Sequence, residues 1–517
     1  MSTHLSSGAQ APDPTIQDPR QRRTILVGVC VALMAVIASV SGLNVAQPEL
    51  TVAFDASQTE VLWFINLYTI TLAALLLPLG ALGDRWGRRP MLVAGLLLFG
   101  VASAAAGLAT SAEIMLAARF LSGVGAAMIM PVTLSVITST FPDEERAKAI
   151  GVWTGVAGGG GILGMYLSAL LVDLASWRWL FVLPVVLVAV AVVMALRSIP
   201  NSREVPRHPF DAVGSLSSVV AVVGLVLFLH EGPQRGWTAP ATLLSLLVGV
   251  VAAAGFVAWE LRGPAPLLDV RLFRERGLAS GSVSLLTVFG VQAGIFVVLF
   301  PYFQAVLGWS GLRSTLALMP MALLMMAASG LAPRVAARVG SRSTMAAGIF
   351  AGGAGLVLMA ALVSVDGGYL SILPGMLAMG AGMGLTMTPS TEAITSALPR
   401  ERQGVASALN DVTREFGTAL GVTLLGAVLT AGYRGAIDSR LDGTPGVPEA
   451  AADRAREGVT NALTAAHGSD SQAQALVRAA RESFVEGWQQ AMWAGAAVMA
   501  ILFVRVLARG PKPRGTK

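Results

Sequence analysis

A few charged side chains stand within or at the ends of long apolar segments, where a charge is costly and therefore informative. Asp411, Arg414 and Glu415 share one such segment, at spacings of three and four residues. These spacings place the three side chains on one face of a helix. They are the first candidates for a site that binds and releases protons. The alternative is a self-neutralising cluster near the end of the segment.

Two further charges need an explanation. Arg119 lies a few residues inside another apolar segment, and Glu392 lies at the end of a third. An isolated guanidinium within a membrane is unfavourable unless it faces water or a partner, and snorkelling towards the near membrane surface is one solution. Glu392 is a weaker candidate for a proton site, because water reaches the end of a span directly.

The segments that carry these charges dominate the chain. Of 517 residues, 54% are hydrophobic and 13% are charged, and the mean hydropathy is +0.69, far outside the balance of a soluble globular protein. Apolar runs of about 20 residues, the length that a helix needs to cross a bilayer, recur along the chain. We predict an all-α polytopic membrane protein with fourteen transmembrane helices, near residues 24–46, 61–82, 91–111, 114–139, 149–172, 179–196, 212–230, 240–259, 278–302, 314–333, 344–365, 369–391, 404–431 and 487–504.

The basic residues predict the orientation of these spans. If the first connector is external, 25 arginines and lysines fall in cytoplasmic segments and nine in external ones. We therefore expect a multi-pass protein of the inner (cytoplasmic) membrane with both termini in the cytoplasm. The long connector 433–486 then lies outside the cell and forms one or two short surface helices.

Several other classes of protein and site are excluded by composition. The net charge of +6 comes from scattered basic residues rather than a basic stripe, so no nucleic-acid partner is expected. The single cysteine, Cys30, permits no intrachain disulfide and no thiolate metal cluster. The first apolar run is too long for a cleaved signal peptide. We predict no cofactor, no metal and no catalytic residues.

A faint internal repeat divides the chain. Residues 84–89 after the second span are echoed by residues 337–342 after the tenth, and repeated halves are common in transporters. The predicted parts are an N-terminal tail, a six-helix bundle, two inserted helices, a second six-helix bundle containing the connector 433–486, and a basic tail. Their bounds are 1–23, 24–197, 198–262, 263–504 and 505–517.

The loop after the second span combines one carboxylate with three guanidiniums and several glycines. Glycines allow two helices to turn closely, and Asp84 can cap a helix start or pair with an arginine across the boundary between the halves. Such a contact would hold the cytoplasmic side closed. The alternative is a simple positively charged anchor. The residues of this candidate gate are Gly80, Gly83, Asp84, Arg85, Gly87, Arg88 and Arg89.

Residues 80–89 resemble the signature loop of the major facilitator superfamily. Other motifs are similar to those of its fourteen-span drug:proton antiporter family, of EmrB/QacA type, and the resemblance covers nearly the whole chain. These are Leu43–Pro48, Arg119–Gly125, Trp177–Trp179, Gly232–Trp237, Leu268–Arg274 and Gly404–Gly421. The resemblance implies two six-helix bundles with two inserted helices, export of amphipathic small molecules by proton antiport, and a role for Arg119 in relaying or gating protons.

The sequence departs from the family pattern in two places. Span five carries seven glycines, of which Gly151, Gly155, Gly160 and Gly164 form a helix-packing motif, but the family's Gly-Pro pair is replaced by Gly164-Met165. Ser39 stands where family members often carry an aspartate in span one. Both departures weaken the expectation of proton exchange and of cationic substrates.

Candidates for the substrate cavity are Asn44, Asn66, Tyr68, Met379 and Met383. The two methionines belong to a helical stripe that suits varied apolar ligands, and ordinary helix packing is the alternative.

The energy source follows by elimination. None of the three lysines ends a GxxxxGK loop, so the chain is not itself a P-loop ATPase, and an ion gradient remains. No HExxH or GxSxG motif indicates an enzyme. We expect a secondary exporter that works as a monomer in the lipid bilayer on an amphipathic substrate and protons. A passive facilitator and a dedicated exporter of one metabolite or self-made antibiotic are the alternatives.

Overall fold

The computed structural model describes residues 15–201, 209–442, 448–466 and 471–511, and these residues are almost entirely helical. The helices of the first half and of the following pair are α1 Pro19–Val45, α2 Gln47–Phe54, α3 Gln58–Trp86, α4 Arg88–Gly107, α5 Ala112–Thr140, α6 Asp143–Leu174, α7 Val182–Ser198, α8 Ala212–Arg235 and α9 Pro240–Arg262. The helices of the second half are α10 Arg276–Pro301, α11 Gly311–Ala317, α12 Met319–Val339, α13 Ser341–Leu362, α14 Gly368–Thr395, α15 Gln403–Asp442, α16 Glu449–Glu457, α17 Val459–Ala465 and α18 Ser471–Arg509.

Fourteen of these helical segments are long and apolar enough to cross a membrane, which confirms the predicted number. The prediction missed α2, which directly follows α1, and a 3₁₀ turn at Trp177–Phe181 that leads into α7. The predicted tenth span corresponds to α11 and α12 together, which a single residue, Leu318, separates next to Pro320 within one membrane-spanning segment.

The predicted connector 433–486 is longer than the connector in the structure. Helix α15 continues to Asp442 and α18 begins at Ser471, so α16 and α17 fill only the interval between them. The extensions are stabilised by tertiary contacts: the Tyr433 hydroxyl donates to the Ala455 carbonyl at 2.6 Å, and the Arg440 guanidinium pairs with Glu486 at 3.1 Å. Hydropathy detects only the apolar part of such helices.

The two halves meet along two contacts. Helix α6 packs against α12 and α14, whereas α3 and α5 pack against α15. Helix α8 lies along the second contact, because it packs on both α3 and α15. Its Val222 and Val226 join Ile70 and Ala73 of α3 in one buried cluster, and the Leu229 carbonyl accepts a hydrogen bond from Thr423 of α15.

The glycines of α6 face two neighbouring helices. A methyl group on Gly151 would lie 2.8 Å from the Ser329 carbonyl oxygen of α12, and Gly155 also faces this helix. One on Gly160 would lie 2.9 Å from the Met34 methyl carbon of α1, and one on Gly164 would lie 3.1 Å from the Cα atom of Ala38, also in α1. The glycines therefore permit close packing both between the halves and within the first half, as the sequence predicted.

Both described ends of the chain lie on one side of the bundle. The Ile16 amide donates to the Thr140 carbonyl at 2.9 Å, and Gly510 lies beside Arg342. Tight turns at Gly87 (φ 110°) and Gly340 (φ 86°) join helices there, and these angles favour glycine. We call this side the terminal face. It comprises residues 15–22, 84–90, 140–146, 196–201, 339–342, 396–404 and 509–511.

Candidate functional site

Asp84 joins the two halves at the terminal face. Its buried carboxylate accepts hydrogen bonds from the Gly404 amide at 2.8 and 2.9 Å and from the Val405 amide at 3.3 Å. These amides lie in the first turn of α15, whose N–H groups have no partner within the helix. Asp84 of the first half thus caps a helix of the second half. Its arginine partner, at 3.2 Å, is Arg88 of the same half, so of the two alternatives for Asp84 the structure has the helix cap and not the ion pair across the boundary.

The three arginines of the loop have different partners. The Arg88 guanidinium also donates to the Arg400 carbonyl across the boundary at 3.2 Å. Arg85 lies 5.8 Å from the ring centre of Phe210, just before α8. Arg89 donates to the Leu196 carbonyl at the end of α7 at 2.7 Å. The loop therefore contacts the other half, the start of the inserted helices and its own half, which is more than a charged anchor requires.

Glycine pairs allow this approach. Helices α3 and α15 are so close that a methyl group on Gly80 would meet the Gly404 carbonyl oxygen at 2.6 Å, and Gly83 faces Val132 of α5. Any side chain at Gly80 or Gly404 would push the helices apart.

A second polar centre lies deeper in α15. Asp411 is fully buried, and its Oδ1 atom lies 3.4 Å from the Arg414 guanidinium and 3.2 Å from the Asn410 amide nitrogen. Asn410 in turn accepts a hydrogen bond from Thr391 of α14 at 3.0 Å. The Oδ2 atom of Asp411 has no hydrogen-bond partner among the described residues. One carboxylate oxygen thus has two long polar contacts, while the other has no donor among the described residues.

Arg414 connects this centre to the first half. Its guanidinium lies 4.5 Å from the ring centre of Phe289 in α10 and 5.5 Å from that of Trp153 in α6. The Trp153 ring is fixed by a hydrogen bond from its nitrogen to the Thr133 hydroxyl at 3.1 Å. The ion pair is therefore enclosed between the halves rather than exposed at a membrane surface.

Glu415 differs from its neighbours. It is half-buried and has no hydrogen bond or ion pair within the described part of the chain. It is close enough to Arg414, Asp411 and Tyr68 to interact with them electrostatically. Glu392 is also half-buried, but it lies near the terminal-face end of α14 and outside this group.

Arg119 is fully buried, which excludes snorkelling. Its Nε atom donates to the Phe64 carbonyl at 2.9 Å, an Nη atom donates to the Ser39 hydroxyl at 3.0 Å, and the guanidinium lies 4.2 Å from the ring centre of Tyr68. The second Nη atom has no hydrogen-bond partner among the described side chains and backbone. Ser39, which stands in place of the family's aspartate, is thus a direct partner of Arg119.

A pocket lies between the halves, next to the Asp411–Arg414 pair. It lies between α6 on one side and α10 with α15 on the other. It is lined by Ala157, Gly158, Gly161, Ile162, Met165, Phe289, Gln292, Ala293, Phe296 and Thr418. Phe289 connects the pocket to the buried ion pair, because the Arg414 guanidinium also packs on its ring.

The predicted cavity residues lie elsewhere. Met379 and Met383 are fully buried inside the second half, where α14 packs on α13 and α12, so their placement in a cavity is wrong. Tyr68 is buried beneath Arg119, and Asn66 lines a different pocket, between α3 and α8. The side chain of Asn44 lies outside what the structure describes.

The sequence analysis missed the residues that line the pocket opposite α6. Gln292 is an amide inside an apolar run and was the available signal, whereas Phe289 and Phe296 look like any membrane-facing aromatics.

Comparisons with known proteins agree with this fold. The family model of the Major Facilitator Superfamily matches residues 29–422. The multidrug efflux pump LfrA of Mycolicibacterium smegmatis is 31% identical over 451 residues, 87% of this chain and 89% of the relative. The multidrug resistance protein Stp of Mycobacterium tuberculosis is 29% identical over 492 residues, 94% of this chain and 91% of the relative.

A solved structure shares the fold. The human organic anion transporter MFSD10 superimposes with a TM-score of 0.63 at 14% identity, covering 95% of this chain and all of that one. At this identity the superposition supports a shared fold and not a shared substrate. The matched family model, the fourteen helices and the two facing halves together place this chain in the major facilitator superfamily of membrane transporters.

Proposed function

We propose that the protein is a secondary exporter of drugs or other amphipathic small molecules, and that it works by proton antiport. The observation that carries the proposal is the pocket between the halves, with the Asp411–Arg414 pair beside it and the Asp84 cap closing the terminal face. Two relatives named for multidrug resistance and efflux support the same direction of transport.

Transport would proceed by rocking of the halves. The terminal face, which we assign to the cytoplasm from the bias of basic residues, is held closed by the carboxylate of Asp84 on α15. Opening that face requires the Gly404 and Val405 amides to lose their acceptor. Alternating access around a site near the membrane midplane is the usual mechanism of such folds.

Protons would be carried by Glu415 and Asp411. The affinity of a carboxylate for protons depends on its desolvation and on nearby charges. Both influences act on α15 at the boundary of the halves, where Arg414 contacts Phe289 of one half and Trp153 of the other. A movement of the halves would change both influences and so couple proton binding to opening.

A passive facilitator is the second candidate. It needs no titratable group, whereas Glu415 has no hydrogen bond or ion pair among the described residues and lies three positions before Thr418 of the pocket. A dedicated exporter of one metabolite would use the same machinery and differs only in the range of its substrates.

The test uses the full-length protein in liposomes with a pH-sensitive dye inside. Addition of a transported lipophilic dye at equal pH should move protons in the opposite direction, and an imposed pH gradient should drive dye uphill. Uptake that only equilibrates the dye, with no proton movement, would establish a facilitator and reject antiport.

A further inference from the structure

We propose that the pocket between α6 and α10 binds flat aromatic molecules that carry uncharged hydrogen-bonding groups, and that Gln292 selects for those groups. This inference rests on the proposed function, because it names the substrate class of the same exporter.

The shape of the pocket favours a flat ligand. On the α6 side, Gly158 and Gly161 present backbone instead of side chains. A methyl group on Gly161 would find only Ile37, at 3.6 Å, so the space beside it is open. On the opposite side, Phe289 and Phe296 are seven residues apart and so lie on one face of α10. Aromatic side chains interact favourably with ring systems in offset-stacked or edge-to-face arrangements.

The polar groups of the pocket lack partners. Gln292 is only 7% exposed, yet its carboxamide makes no hydrogen bond with any described residue. The Thr418 hydroxyl is also without a hydrogen bond in the described chain. Buried amides are nearly always paired, so the unpaired amide of Gln292 indicates a partner on a ligand, and the half-buried Thr418 hydroxyl offers a second hydrogen-bonding group. Gln292 follows Phe289 by three residues, which puts the amide beside the ring that a flat ligand would stack on.

The uncharged lining of the pocket disfavours a permanently charged ligand. None of the ten described residues that line it is charged. Asp411 is paired with Arg414, and Glu415, the other carboxylate of this cluster, does not line the pocket. An uncharged ligand needs no compensating charge, whereas desolvating a fixed charge here would be costly.

The test measures binding of three probes to the full-length protein in lipid nanodiscs, by quenching of tryptophan fluorescence with empty nanodiscs as blank. The probes are 1,8-dihydroxyanthraquinone, anthracene and tetraphenylphosphonium. Gln292→Leu should weaken binding of the dihydroxyanthraquinone about three- to tenfold, the value of a lost hydrogen bond, and leave anthracene unchanged. Gly161→Leu should weaken both flat probes, because it fills the pocket. Gln304→Leu, at an exposed glutamine beyond α10, is the matched control.

Two results would overturn the inference. One is an unchanged affinity of Gln292→Leu for the dihydroxyanthraquinone, and the other is tighter binding of tetraphenylphosphonium than of either flat probe. If Gln292→Leu fails to fold, Thr418→Val replaces it, because valine keeps the shape and removes only the hydroxyl. A wild-type protein that exports tetraphenylphosphonium on a pH gradient but ignores the flat probes rejects this inference and keeps the proposed function. A wild-type protein that binds the flat probes but transports nothing on a pH gradient keeps this inference and rejects the proposed function.

Discussion

The buried charges of α15 and of α5 are compensated in different ways. Asp411 and Arg414 share a contact, whereas Arg119 relies on a carbonyl, a hydroxyl and an aromatic ring. A buried guanidinium with only neutral partners is under-compensated, because hydrogen bonds to a charged acceptor are stronger.

Ser39→Asp should therefore stabilise the protein. The new carboxylate would replace a hydroxyl 3.0 Å from Arg119, and a charged hydrogen bond contributes about 1.5–3 kcal/mol. We expect a rise of the melting temperature in detergent. Ser103→Asp is the control, because Ser103 is equally buried but its hydroxyl has no described partner. It should lower the melting temperature, and a fall for Ser39→Asp as well would contradict the assigned pairing.

The double change Asp411→Asn plus Glu415→Gln should abolish transport driven by a pH gradient and leave substrate binding measurable. Neutral amides keep the shape of both side chains but cannot exchange protons. Asp453→Asn plus Glu457→Gln is the matched control, with the same four-residue spacing on the short helix α16. Continued proton movement by the first double mutant in dye-loaded liposomes would place coupling elsewhere, with Arg119 or Glu392 as the next positions to change.

At the scale of helices, the two contacts between the halves are chemically unlike. The contact of α3 with α15 contains the Asp84 cap, whereas Ala337 occupies the equivalent position of the repeat in α12. The contact of α6 with α12 and α14 is instead built from glycine faces towards α12 and from a hydroxyl pair, Thr154 of α6 and Thr388 of α14, at 2.7 Å. One contact therefore depends on a charge, and the other on close packing of uncharged groups.

Asp84→Asn should slow transport at least tenfold while the protein still inserts. The amide retains one acceptor oxygen but loses the charge that stabilises the N-terminus of α15. In a Cys30→Ser background, Ala157→Cys in the pocket should become more reactive towards a maleimide added from the terminal face. Asp143→Asn is the control, because its pair with Arg400 across the boundary is exposed and contributes little. A wild-type transport rate in Asp84→Asn would show that the loop is only a positively charged anchor.

The sequence predicted the helices better than the pocket. Apolar length alone identified the fourteen spans, and spacing correctly grouped Asp411 with Arg414. It did not reveal that Phe289 and Gln292 face Gly158 and Gly161, because these residues are more than 120 positions apart and only the packing of the halves brings them together. For the methionine stripe the sequence left helix packing and a ligand-binding face as alternatives, and Met379 and Met383 are packed; a stripe does not say which neighbour it faces.

For the whole molecule, we predict that α16 and α17 lie outside the cell. A tag inserted after Gly458, where the structure leaves open space, should react with impermeant reagent on intact cells. A tag after Gly340 should react only after the cells are opened. The reverse pattern would invert the assigned orientation, and with it the direction of transport.

The position of α8 and α9 ties the movement of the halves to the surrounding lipid. Helix α8 touches both α3 and α15, while the outer side of α9, including Leu244, Leu247 and Val251, faces away from the bundle. When α3 and α15 separate, the pair must shift, and acyl chains in contact with α9 must rearrange. The barrier to each cycle then contains an elastic contribution from the bilayer, so acyl-chain length and membrane tension should set the turnover rate even where no lipid binds specifically.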